Sequence, residues 1–556
     1  VEDDGGHAES YSRSPPATCG ATRSRRPGIA RQVVAVSPDR AHGVSRVVPH
    51  HPRSRAVAIF LAATIGVAPA CRPTLNMSSA AELAPAPDEL GGIGDAVFAA
   101  LRARRDAPAP PPIELAPTDD AETDPPTPNP LTLTSIVADI VVEGPLAYTQ
   151  LALTFANPDD RIREGRFAIT LPTDAAIGRF ALHTSAGWRE AEVVSKQQAR
   201  IVYETYLHRG IDPALLEQAS ANTFGARVFP IAAKANTEIV IGYSQETTPA
   251  HPARLALRGL PRVGAVTIRI HRGDDVEVRT QRDVKPDDVT VDVGASPPAV
   301  AAGAEFVARV PVATATDPVP LASVYILVDT SASRAGLVGP QVAALRALVS
   351  ELAGDAAVTI ATFDQRVREV YRGRAGDVTG AVLDAVVARG ALGASDLGAA
   401  LAAAARSAMA RVIVIGDVVA TAGESRAGAL AQVMHAAGVL RVDVLQLGES
   451  LDAIAAEAIV TAGRARGAVL RVEPGASDGL ARRLTAPTAA PAVIAIEGAT
   501  WSWPRSSAGV AGNEVVVYGR RAAGAADRPL RITVGTRAHV VTPVAATDAL
   551  VQRAVA

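Results

Sequence analysis

The hydrophobic period of this chain changes at Leu321, and that change limits what the chain can fold into. From Leu131 to Val278, apolar side chains recur at every second position. Ile136, Ala138, Ile140 and Val142 share one face, with Asp139 and Glu143 on the other. Leu151, Leu153 and Phe155 repeat the pattern, as do Ile239, Ile241 and Tyr243. Val266, Ile268 and Ile270 then lead through His271-Arg272-Gly273-Asp274-Asp275 to Val276 and Val278. A period of two marks half-buried strands joined by turns, hence an antiparallel sandwich or barrel. Arg272-Gly273-Asp274 reads as a hairpin turn rather than a receptor-recognition tripeptide. One helical insertion is expected near Glu190 to Tyr206.

Beyond Leu321, strands and helices alternate. Val324-Tyr325-Ile326-Leu327-Val328 is a nearly continuous apolar strand, followed by a helical stripe of Val342, Leu345, Leu348, Val349 and Leu352. Further strands at Val358–Ala361, Val412–Ile415, Val442–Leu445 and Val469–Val472 alternate with helices near 377–388, 396–408, 424–437 and 452–462. This order predicts a doubly wound, mostly parallel sheet with helices on both faces. Residues 493–540 return to short strands. Hydrophobic residues are 48% of the chain and aromatics only 4%, so the cores are aliphatic.

Two of the apolar strands end in an aspartate. The first runs into Asp329-Thr330-Ser331-Ala332-Ser333, and a later one runs from Val412 through Gly416 into Asp417. Ligands of open α/β sheets bind beyond the carboxyl ends of strands, where the strand order reverses. Two strands that are neighbours there bring both carboxylates and the Ser331 and Ser333 hydroxyls into one crevice. Hard oxygen donors of this kind suit Mg2+, with Ca2+ or Mn2+ as alternatives. Asp and Ser after a strand also serve as ordinary helix caps. The second strand-end aspartate is what favours a metal site.

The N-terminal seventy residues read as a leader rather than as fold. Arg53 and Arg55 flank an uncharged apolar run over 56–67, which ends in Ala68-Pro69-Ala70-Cys71. Twelve such residues are too few to span a bilayer. A basic flank, a short apolar core and small residues at the cut describe a secretory signal. Cys71 directly after the cut suits acylation of a bacterial lipoprotein, although Ala68 and Pro69 depart from the usual lipobox. The chain opens on Val1, and its first Met is Met77. The expectation is therefore either a start at a non-Met codon nearer Arg53 or a spurious extension over residues 1–50. Residues 71–130 are proline-rich and read as a semi-rigid tether, with one short helix from Leu90 to Arg105. Cys19 and Cys71 are the only cysteines, which rules out a disulfide framework and any Cys-based zinc or iron–sulfur site. The formal net charge of −2 offers no chain-wide basic field for nucleic acid. Residues 1–70 carry nine Arg against five acidic residues, so the remainder is more acidic than the total suggests.

Residues 319–475 resemble a von Willebrand factor A (VWA) domain. Asp329-Thr330-Ser331-Ala332-Ser333 matches the DxSxS of the family's metal-ion-dependent adhesion site (MIDAS). Asp417, in Gly416-Asp417-Val418, stands where the family usually has Thr-Asp-Gly. Ser395, in Gly393-Ala394-Ser395-Asp396-Leu397, stands where it has a Thr. The preceding β-region resembles the VIT domain of inter-α-trypsin inhibitor heavy chains and a vault-associated protein. The match runs through Asn157-Pro158, Glu164 to Pro172, Ala199 to Glu204, Pro213 to Glu217 and Phe224 to Ile231. The resemblance implies an all-β VIT domain over 131–250, a β-rich connection over 251–318, the α/β VWA domain over 319–475 and a small C-terminal β-region over 490–545. It implies metal ligation by Asp329, Ser331, Ser333, Ser395 and Asp417, and a partner protein whose Glu or Asp completes the shell. The heavy chains' C-terminal processing motif is not found, so their linkage to glycosaminoglycan is not implied. The final residues, Leu550 to Ala556, read as the start of a further segment.

Three functions compete. The first is an exported, lipid-anchored binding module of the bacterial envelope, either an outer-membrane lipoprotein or a periplasmic protein. The second is a structural envelope protein whose metal site is dispensable. The third is a metal-dependent phosphatase, because haloacid-dehalogenase-type enzymes also begin with a strand running into Asp. Those enzymes need a second Asp two residues on as acid/base. Here that position is Ser331, which cannot do that work near neutral pH. No HExxH or GxxxxGK[ST] occurs, and no catalytic residues are assigned.

Overall fold

The computed structural model describes residues 111–118 and 131–547, apart from 185–186, 191, 195–214, 250, 293, 295, 314–316, 474, 489–491, 506–513 and 523–527. The leader, the apolar run at 56–67, Cys71 and the Leu90–Arg105 helix lie outside the described residues.

The first unit is a two-sheet sandwich. One sheet has seven strands, in the order Asp275–Val284, Val263–Arg272, Thr132–Glu143, Leu146–Ala156, Asn236–Glu246, Ala176–Thr184 and Gly187–Glu190. The other has five, in the order Ile113–Pro117, Arg163–Thr170, Thr223–Ile231, Leu215–Ser220 and Glu192–Val194. The alternation read from the sequence sets which residues face inward: Ile136, Ala138, Ile140 and Val142 are all buried. Phe167 fills the centre, edge-on to Phe155 at 6.3 Å and stacked on Phe180 at 6.0 Å. Asn157 ties the sheets at one end. Its side-chain amide donates to the carbonyls of Arg161 and Ala232 at 3.0 Å, and its Oδ1 accepts from the Asp159 amide. Asp159 in turn pairs with the fully buried Arg163 at 2.7 Å.

Several features depart from the sequence reading. The helical insertion expected from Glu190 begins instead with strands Gly187–Glu190 and Glu192–Val194, and the rest of it lies outside the described residues. Ile113–Pro117 falls within the stretch read as tether, yet it pairs with Arg163–Thr170. Ile113 and Leu115 are buried in the core. The prolines around this strand suit only an edge, because proline cannot donate to a ladder. The sheet is also not wholly antiparallel, since Val263–Arg272 runs parallel to Thr132–Glu143. The turn after Arg272 is a tight hairpin with Gly273 at φ 61°.

The second unit is the expected α/β domain. Its six strands lie in the order Val367–Arg374, Ala357–Phe363, Ser323–Asp329, Arg411–Ile415, Arg441–Gln446 and Val469–Arg471. All pairs are parallel except the first, a hairpin edge. Val324, Ile326 and Val328 pack under helices Val338–Glu351 and Gly380–Arg389. Tyr325 and Leu327 face helices Leu397–Arg406, Ala427–Ala436 and Ala453–Val460. Both faces are therefore covered, which explains the unbroken apolar runs.

The segments on either side of this domain form a third unit together. Ala299–Ala302 and Glu305–Pro311 pair with Val544–Ala545 and Glu514–Arg521, and Ala499–Trp503 completes that sheet. A three-stranded sheet of Ile494–Ile496, Leu530–Val534 and Arg537–Val541 covers it around Phe306, Val310, Val517 and Ile532. No helix among the described residues is long and apolar enough to cross a membrane.

The sandwich grips the α/β domain at the loop after Gln446. Asn222, in the turn before Thr223, donates to the Glu449 carbonyl at 2.7 Å and accepts from the Leu451 amide at 3.0 Å. Beside it Arg254 bridges Asp288 (2.7 Å) and Glu473 (2.5 Å), and Arg471 pairs with Glu449 and Glu473.

Glu246, at the end of the long strand Asn236–Glu246, faces Tyr518 of the third unit and the charge of Asp174. Burial raises its pKa to about 7 from 4.5, against the Tyr518 hydrogen bond, with Asp174 adding to the rise. The protonated acid is favoured in the folded state. Its stabilisation is full below pH 4.5 and is lost as pH rises through 7. Unfolding of wild type and Glu246→Gln at pH 5 and pH 8 should show the wild type losing about 2 kcal/mol relative to the variant. An unchanged difference would refute this reading.

Candidate metal centre

The strand order reverses at Ser323–Asp329. The next strand in sequence lies on one side of it, and Arg411–Ile415 lies on the other. Asp329 and Asp417 therefore leave adjacent parallel strands at the same end of the sheet, the position where doubly wound sheets bind ligands. Gly416 permits the approach, because a Cβ there would stand 2.7 Å from Asp329 Cβ. Gln341, buried on helix Val338–Glu351, closes the gap from behind. Its amide donates to the backbone carbonyls of Asp329 (3.0 Å) and Ile415 (3.1 Å).

Three loops meet over this point. The Ser331 amide donates to Asp329 Oδ1 at 2.8 Å, which turns the chain sharply after the strand. Ala332 donates its amide to Gly393, and Leu392 donates to Thr330, so the Ser395 loop is laced to the DxSxS loop. Thr421 anchors Ser395 by accepting its amide at 2.8 Å and returning its own amide to the Ser395 carbonyl at 3.0 Å. Ser331 and Ser333 hydroxyls lie 3.1 Å apart, and Ser333 donates to Asp417 Oδ2 at 3.1 Å. The other Asp417 oxygen accepts from the Val419 amide at 3.1 Å. Val418 between them has φ 59°, the left-handed region that a β-branched residue resists. The family's usual glycine would sit there freely, so the site holds its shape against local strain.

The structure thus gathers Asp329, Ser331, Ser333 and Asp417 into one hydrogen-bonded cluster and ties the Ser395 loop to it. Asp329, Asp417, Ser331 and Ser395 are buried, and Ser333 is exposed. Two buried oxygens lack a protein partner: Asp329 Oδ2 and Ser395 Oγ. Burial and the charge of Asp417 push the Asp329 carboxyl up to about 7, with the Arg334 charge opposing. A buried carboxylate without a counter-charge costs several kcal/mol. Three hydroxyls and two carboxylates, all hard oxygen donors, therefore fit a divalent cation of the Mg2+ kind. No cluster of three or more His, Cys, Asp or Glu is present among the described residues. The donor set is three hydroxyls and two carboxylates, which distinguishes it from carboxylate cages.

Two residues outside the sequence reading belong to this centre. One is Gln341. The other is Arg334, buried on the short turn Ala332–Arg334, whose guanidinium pairs with Asp417. A basic residue directly after the second serine of DxSxS was the available signal.

Replacing Gly416 by Ala should force the two strand ends apart. The expected loss is about 1–3 kcal/mol in thermal or denaturant unfolding. Wild-type stability in that variant would refute the close approach.

Residues 133–243 match the family model described as the vault protein inter-alpha-trypsin domain. Residues 322–465 match that of the von Willebrand factor type A domain. No curated protein matches the chain. Among solved structures, a von Willebrand factor type A protein from Catenulispora acidiphila is similar at 18% identity, over 45% of this chain and 71% of that one, with a TM-score of 0.27. An aerotolerance-related membrane protein from Bacteroides fragilis is 18% identical over 29% of this chain and 95% of that one, with a TM-score of 0.22. Proximal thread matrix protein 1 of the mussel byssus, with a zinc-occupied MIDAS motif, is 15% identical over 32% of this chain and 46% of that one, also with a TM-score of 0.22. The chain carries a VIT domain followed by a VWA domain.

Proposed function

We propose that this is an exported binding protein whose VWA domain holds a divalent cation and, through it, a carboxylate of a partner protein. The carrying observation is the pair of strand-end aspartates at the reversal of strand order, beside two buried oxygens without partners. Ser331, Ser333, Ser395, Asp329 and Asp417 would hold the ion, directly or through water. The ion, Mg2+ or else Ca2+ or Mn2+, would supply a Lewis-acidic position for an acidic side chain from outside. The protein's own contribution is rigidity: the three loops are fixed to one another before any partner arrives. The VIT sandwich is a platform for the VWA domain.

This reading is tested by partner capture from envelope extracts in Mg2+, in EDTA and with Asp329→Ala. Capture should occur in Mg2+ alone. Equal capture in all three conditions would favour a structural role with a dispensable site.

Export and anchoring belong to the same reading. The basic flank, the apolar run at 56–67 and Cys71 support acylation at Cys71, with residues 71–110 as spacer. Replacing Cys71 by Ser should move the protein from the detergent phase to the aqueous phase in Triton X-114 partitioning of expressing bacteria. A variant still in the detergent phase would refute acylation at Cys71, and a wild type already in the aqueous phase would favour a soluble periplasmic form.

A further inference from the structure

Asp417 is fully engaged without any ion. Its Oδ1 accepts the Val419 amide, and its Oδ2 accepts both Ser333 Oγ and Arg334 Nη2. The same guanidinium donates through Nε to Ser333 Oγ at 3.3 Å and through Nη1 to the Leu447 carbonyl at 3.2 Å. Arg334 is 1% exposed, so this is a seated side chain rather than a surface one. It therefore occupies two oxygens, Ser333 Oγ and Asp417 Oδ2, that belong to the candidate ligand set. A cation bound there needs the Ser333 lone pair that Arg334 Nε now uses, and it repels a guanidinium at the same carboxylate.

We propose that Arg334 is a tethered internal cation that competes with the divalent ion for Asp417 and Ser333, so that ion binding requires the guanidinium to leave its seat. The proposal rests on the metal-site reading above. The seat is shared with another part of the fold. Leu447 opens the loop whose Glu449 carbonyl and Leu451 amide are held by Asn222 of the VIT domain, and the Asp452 amide of that loop donates to the Asp417 carbonyl at 2.9 Å. The VIT turn thus holds the same loop, two and four residues beyond the Leu447 carbonyl that accepts from Arg334. Ion affinity is set low by the protein itself, and it rises when the loop gives way.

The test uses the full chain and Mn2+ alone, read by electron paramagnetic resonance. Arg334→Gln should bind Mn2+ roughly ten- to a hundredfold more tightly than wild type and should melt at a lower temperature in EDTA. Competition is reciprocal, so Mn2+ should release Arg334 in the wild type. Phenylglyoxal labelling followed by peptide mass spectrometry should then find Arg334 protected in EDTA and modified at saturating Mn2+. Should Arg334→Gln fail to fold without metal, the wild-type labelling decides alone. Equal Mn2+ affinities, or Arg334 still protected at saturating Mn2+, would overturn the proposal and leave the metal site standing. No Mn2+ binding by either protein would overturn both.

Discussion

Two negative charges placed side by side out of water are the constraint around which the α/β domain is organised. Each carboxylate costs several kcal/mol to bury alone, and their mutual repulsion adds to that cost. The fold accepts the cost because Ser323–Asp329 and Arg411–Ile415 are adjacent and parallel, so any residue that follows both strands must share one crevice. Everything near the crevice compensates. Gln341 joins the two strand ends, backbone amides serve one oxygen of each aspartate, and Arg334 neutralises Asp417. What remains unserved is one carboxylate oxygen and one hydroxyl. A site built this way is polar, rigid and one charge short of neutral.

The VIT domain is not merely an upstream neighbour. A single asparagine side chain, Asn222, donates to and accepts from the loop that follows strand Arg441–Gln446. The ionic cluster of Arg254, Asp288, Glu449, Arg471 and Glu473 surrounds that contact. The loop between them also touches both Arg334 and Asp417. Platform and site are thus separated by one short segment of chain.

The sequence made some of this legible. Period-two and apolar runs are local signals, so Ile136 to Val142 and Val324 to Val328 read correctly as strands and as core. DxSxS and Asp417 were legible because strand ends are easy to locate and the strand order follows from alternation with helices. Strand partners were less so. Ile113–Pro117 offers only two inward residues between prolines, which is also what a proline-rich spacer looks like. The parallel pairing of Val263–Arg272 with Thr132–Glu143 joins segments far apart in sequence, and nothing local encodes it. Arg334 was hidden for the same reason: its anchor, the Leu447 carbonyl, lies 113 residues away.

The third β-unit has a consequence for how the chain is made. Strand Glu305–Pro311 leaves the ribosome long before its partner Glu514–Arg521. Until that partner emerges, the nascent strand has an open edge, the kind of surface that recruits the wrong strand. The VWA domain is synthesised within this interval. Once folded, it replaces most of the roughly 200 residues of chain between the two strands with a compact body, which shortens the loop that the late strand must close. Folding of the inserted α/β domain therefore favours closure of the sheet built from the segments on either side of it.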